Sequence, residues 1–145
     1  GIPVAYCPDK NVLAVDLPGL QQLGQPADES NLVLLQGDNT AISALTSRYA
    51  LAVQHERGLS LDTPVASLRT ACLTGAAQKA MAATDTPTQL RLSAGDIDEA
   101  VAGLLVNGIV ASNVNGETVP AGFTRIVAYR SGLEHNAELC YQRFA

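Results

Sequence analysis

The run with the most chemical content is Val53-Gln54-His55-Glu56-Arg57-Gly58-Leu59. A zinc peptidase carries His-Glu-x-x-His on one helix because residues four apart share a face. Both imidazoles then reach the metal, and the intervening Glu takes a proton from the metal-bound water. Here the second histidine position is Leu59, which offers no donor atom. The chain has two histidines, His55 and His135, and a Ser-His-Asp or Cys-His site would have to use one of them. No G-x-S-x-G elbow or Cys-nucleophile signature occurs, and Gly19, Gly24 and Gly37 follow neither P-loop nor dinucleotide spacing. Taken by itself, the His55-Glu56 pair reads as a solvent-facing pair near a helix end.

The elements that must position these residues are legible in outline. Val4 to Val15 holds two short β-prone arms around the turn residues Pro8-Asp9-Lys10-Asn11, which predicts a β-hairpin. Leu17 to Gln36 is punctuated by Pro18, Gly19, Gly24 and Pro26 and reads as a long loop with a short helical piece. Asp38 can cap a central helix with Ile42, Leu45, Tyr49 and Val53 as its apolar face, ending near Gly58 and carrying His55. Asp62-Thr63-Pro64 opens a second helix, with Val65, Leu68, Cys72 and Ala76 on one face as far as about Ala83. A third is expected from Ser93 through Ile97, Val101 and Leu104, with Asp96 in the capping-box position. The last covers Ala121 to Leu139, with Phe123, Ile126, Val127, Arg130 and Leu133 at helical spacing.

Composition bounds the rest. The 145 residues fit one domain. A net charge of −5 with scattered basic residues argues against a phosphate-tracking surface, so nucleic acid is not an expected partner. Only two Phe, four Tyr and no Trp stand among the apolar residues, so the core must be small aliphatic packing, which suits close helices. No run approaches a membrane span; the longest candidate, Val101 to Val110, is broken by Gly103, Asn107 and Gly108. A start at Gly1-Ile2-Pro3 leads us to expect an upstream segment, an anchor or further domain included, with this chain the C-terminal part of a longer precursor. Cys7, Cys72 and Cys140 lack C-x-x-C spacing. Spacing leaves two readings open: buried thiols, or one disulfide plus a cysteine whose partner lies upstream.

Five segments in order resemble the bacterial neutral zinc metallopeptidase family. They are Tyr6-Cys7-Pro8, His55-Glu56-Arg57-Gly58, Ser67-Leu68-Arg69-Thr70-Ala71-Cys72, Gly95-Asp96-Ile97-Asp98-Glu99-Ala100, and Tyr129-Arg130-Ser131-Gly132-Leu133-Glu134 followed by Cys140. Together they span almost the whole chain. The resemblance implies a zincin-like, mainly α (α+β) fold: an N-terminal β-hairpin and about four helices, the second helix crossing the central one and two more packed outside.

The departures fall on the chemistry. Carried across, the first metal-binding His is His55 and the general base is Glu56. The second His is Leu59, the metal-binding Glu is Ser67, and the acidic residue after it is Ala71. A catalytic zinc needs three protein ligands and an open position for water; His55 alone survives, and no cofactor is expected. The resemblance therefore implies a pseudoenzyme that binds a protein or peptide, with an active enzyme using non-standard ligands such as His135, or a purely structural envelope domain, as alternatives. Glu56 is then vestigial and, as a carboxylate on the Leu45-Tyr49-Val53 side, is expected near the core with hydrogen bonds to satisfy it. The resemblance also implies a Cys72–Cys140 disulfide, and with it an extracytoplasmic place, in the cell envelope or secreted. Three buried thiols in a cytosolic protein are the alternative.

Overall fold

A computed structural model describes residues 3–23, 38–83 and 110–145. Strands β1 (Val4–Cys7) and β2 (Val12–Val15) pair antiparallel, with Val4 opposite Val15 and Cys7 opposite Val12. The turn closes because Asn11 takes a left-handed φ of 51°, which a short amide side chain tolerates. Its amide N–H donates to the Pro8 carbonyl at 3.2 Å, and its side-chain oxygen accepts from the Tyr6 hydroxyl at 2.6 Å. Alternation turns Val4 and Tyr6 inward, where Tyr6 packs with Leu51 and Leu61.

Helix α1 (Leu17–Leu23) follows at once, its first turn capped by Asp16, whose carboxylate accepts from the Gly19 N–H at 3.2 Å. This is the short helical piece expected after Leu17. Helix α2 spans Asp38–Glu56 and α3 spans Pro64–Ala83. Within the Asp62-Thr63-Pro64 run, Thr63 is the cap, accepting from the Ala66 N–H at 3.1 Å, and Pro64 is the first helical residue. The expected helix from Ser93 through Leu104 lies outside the described residues, as does most of the loop before α2.

The last expected helix is two. Helix α4 (Gly122–Glu134) stops at His135, and α5 (Ala137–Arg143) starts afresh, because the Asn136 side chain caps it by accepting from the Leu139 N–H at 3.1 Å. The disulfide Cys72–Cys140, with Cα atoms 5.6 Å apart, fastens α5 to the middle of α3, while Cys7 carries a free, half-buried thiol. The architecture is thus mainly α with a small β element at its start.

Helix α3, rather than α2, is the central one: it is buried without interruption from Arg69 to Gly75. Its most extensive packing is with α4, so α4 is not an outer layer. Two glycines permit that approach. A Cβ placed on Gly132 would fall on the Cys72 carbonyl, and one on Gly75 would fall on the Tyr129 carbonyl and lie 3.0 Å from the Leu133 nitrogen. With so little aromatic bulk, much of the interface between helices is polar. The Tyr129 hydroxyl donates to Gln78 Oε1, and Gln78 Nε2 donates to Ser43 Oγ, which links α4, α3 and α2 through wholly buried side chains. In the low dielectric of a core, such a satisfied chain fixes one arrangement of the helices.

The expected apolar face of α2 is corrected. Leu45 and Tyr49 are 39% and 62% exposed, whereas Ala44, Ser47, Arg48, Leu51 and Gln54 are buried. Arg48 can be inside because its donors are satisfied: Nη1 reaches the Asn113 carbonyl at 3.0 Å, and Nη2 reaches the Ser112 carbonyl and hydroxyl at 2.8 Å each. Burial lowers its pKa to about 10. On α4 likewise, Phe123 is 77% exposed while Arg125, Ala128, Tyr129 and Ser131 are buried.

Candidate functional site

The end of α2 decides what the His55-Glu56 pair can do. Gly58 stands at φ 74°; its N–H donates to the His55 carbonyl at 2.9 Å, and the Leu59 N–H donates to the Gln54 carbonyl at 3.1 Å. These two bonds make a Schellman cap, which terminates a helix by a left-handed glycine. Leu59 consequently lies past the helix end, so residues 55 and 59 do not share the helical face that a His-x-x-x-His pair requires. His55 and Glu56 are both exposed, and the His55 ring meets the Tyr6 ring edge-on at 6.0 Å between centroids. The expectation of a Glu56 near the core is corrected, because the Leu45-Tyr49-Val53 side it continues is the outward side of α2.

Gln54 is the residue that α2 turns to α3. Fully buried, it donates through Nε2 to Thr70 Oγ1 at 2.9 Å and to the Ala50 carbonyl at 3.1 Å, and its Oε1 accepts from Arg69 Nε at 2.8 Å. Arg69 then donates to the Ser60 carbonyl at 2.8 Å and the Phe144 carbonyl at 2.7 Å, drawing the α2–α3 loop and the C-terminus together. Its burial lowers the guanidinium pKa, an effect the nearby Tyr141 opposes. Ser67, at the position of the family's metal-binding Glu, is buried and donates to the Pro64 carbonyl at 2.6 Å.

These residues do not fit a zinc ion. Leu59 has no donor, Ser67 spends its hydroxyl within its own helix, His55 faces solvent, and the polar group between α2 and α3 includes a cation, Arg69. Among the described residues no group of three or more His, Cys, Asp and Glu side chains stands close enough to hold a metal. His135 caps the C-terminus of α4 and belongs to a different feature.

That feature is an apolar groove of about 550 Å³ between α2, α3 and the α4–α5 junction. Tyr49, Ala50 and Val53 line one side, Leu73, Ala76, Ala77 and Ala80 another, and His135, Asn136 and Tyr141 the third. Lys79 stands at its mouth, donating to the His135 carbonyl at 2.8 Å. Tyr141 is fixed from outside by the Arg57 guanidinium, 3.6 Å from its ring centroid, and burial is the main cause that raises its phenol pKa. Sequence periodicity had placed Tyr49 and Val53 in the core; they are surface residues of this groove. No local signal marks the groove, because Tyr49 and Val53 read as core residues until Arg48 and Gln54 are seen to take the interior.

No helix among the described residues is long and apolar enough to cross a membrane. No protein-family model matches the sequence, and neither a curated protein nor a solved structure is found to be similar to it.

Proposed function

We propose that the chain is a non-catalytic, zincin-like domain that binds a peptide segment of a protein partner in the groove between α2, α3 and α5. The observation that carries this reading is the groove itself: Tyr49, more than half exposed, and Val53 open onto a volume in the ordinary range of ligand sites, walled by apolar side chains. Exposed apolar surface gathered in one concavity marks interaction sites more often than scattered surface residues do. The outward His55 and the Schellman cap before Leu59 support binding over hydrolysis. The buried Cys72–Cys140 disulfide supports an oxidising setting, in the cell envelope or outside the cell.

The test is hydrolysis of a broad peptide library by the wild-type chain and by Glu56→Gln. Neither is expected to cleave. Cleavage by the wild type that disappears in Glu56→Gln would overturn the reading.

A further inference from the structure

Among the described residues, the groove's ionisable lining consists of Lys79, His135, Tyr49 and Tyr141, with no carboxylate. The Lys79 ammonium is held at the mouth by the His135 carbonyl at 2.8 Å. An ammonium has three donors, so that bond leaves capacity for an incoming acceptor. Glu138, the one acid of α5, is paired with Arg57 at 3.8 Å, and Glu134 ends α4 just before His135.

The length of the groove sets the shape of its occupant. Its α2 wall runs from Thr46 to Val53 and its α3 wall from Leu73 to Ala80, each about two helical turns or ~10 Å at 1.5 Å per residue. The walls are helices, so they offer side chains rather than a sheet edge to which a strand could add. Ala76, Ala77 and Ala80 let a backbone come close. An amphipathic helix presenting positions i, i+3, i+4 and i+7 has the matching length and face.

We propose that the partner segment is an amphipathic helix carrying a carboxylate beside its apolar stripe, placed to meet Lys79; this rests on the groove reading above. The carboxylate then sets the position of the segment as well as its affinity.

A display library of helical peptides, apolar at i, i+3, i+4 and i+7 and randomised elsewhere, tests it by selection against the full chain and its Lys79→Glu and Ala80→Trp variants. Circular dichroism establishes that each variant is folded. The wild type is expected to enrich Asp or Glu beside the stripe, and changing that residue to Gln weakens binding about two- to fivefold, as for an exposed ion pair. Lys79→Glu is expected to select Lys or Arg at the same place, and Ala80→Trp, which fills the groove, to abolish binding. Binders blocked by Ala80→Trp but indifferent to Lys79→Glu would overturn the carboxylate and leave the groove standing. No enrichment, or binders indifferent to Ala80→Trp, would overturn both.

Discussion

Arg69 Nε donates to Gln54 Oε1 at 2.8 Å, so a buried arginine–glutamine pair joins the two helices of the supposed zinc motif. With its two further bonds to the Ser60 and Phe144 carbonyls, Arg69 holds together the end of α2, the α2–α3 loop and the C-terminus. Removing a charged donor from buried acceptors costs about 1.5 to 3 kcal/mol per unsatisfied partner set. Arg69→Ala is therefore expected to lower stability by about 3 kcal/mol in urea unfolding, and Arg69→Lys to recover only part of it because an ammonium lacks the planar fork. A loss below about 0.5 kcal/mol, the range of surface substitutions, would show that the network is incidental.

Gly132→Ala tests the α3–α4 crossing. In an exposed helix this change would help by about 1 kcal/mol. Here the added methyl falls on the Cys72 carbonyl, a backbone group that cannot swing aside. We expect a loss of about 3 kcal/mol or more, at the upper end of overpacking costs. Gly58→Ala, in open space but at φ 74°, should cost about 1 kcal/mol from backbone strain alone.

The buried Tyr129 phenol sets an alkaline limit. Desolvation raises its pKa above the ordinary value of about 10. Above pH 10 the unfolded chain releases this proton while the folded chain keeps it, so stability is fully present below pH 10 and falls as pH rises beyond it. Tyr6 and Tyr141, raised as well, act in the same direction. The urea midpoint should decline above pH 10, and less steeply in Tyr129→Phe. An unchanged slope in that variant would remove Tyr129 from the account.

Reduction of Cys72–Cys140, or Cys140→Ser, frees α5 from α3. For residues 68 apart in sequence, the chain-entropy model gives about 4 kcal/mol as the upper value of the loss. Peptide mapping without reductant should recover the pair together and Cys7 as a free thiol. Recovery of Cys72 and Cys140 as thiols from an oxidising compartment would contradict the structure.

Local signals carried the hairpin, the start of α3 and the end of α2, since Pro8 to Asn11, Thr63-Pro64 and Gly58 act through their own backbone preferences. The faces of the helices did not follow from sequence. Periodicity assumes that apolar residues face inward, and here Leu45, Tyr49 and Phe123 face outward while Arg48, Gln54, Arg69 and Gln78 are buried. The arginines reach carbonyls of residues 60, 112, 113 and 144 and the glutamines reach side chains of neighbouring helices, and no sequence pattern marks either as a partner. The break at Asn136 was hidden for a related reason: an asparagine within a helical pattern shows its role only when its side chain is seen capping the next turn. The groove depends on both, because it lies where the outward face of α2 meets the α4–α5 junction.

Zinc content tests the central claim most directly. Elemental analysis of the chain purified without added metal, together with Leu59→His, is expected to show no stoichiometric zinc in either, because the Schellman cap sets residue 59 off the helix and Ser67 supplies no carboxylate. About one zinc per chain in the wild type, lost on His55→Ala, would mean that the metal site is intact and the domain an enzyme.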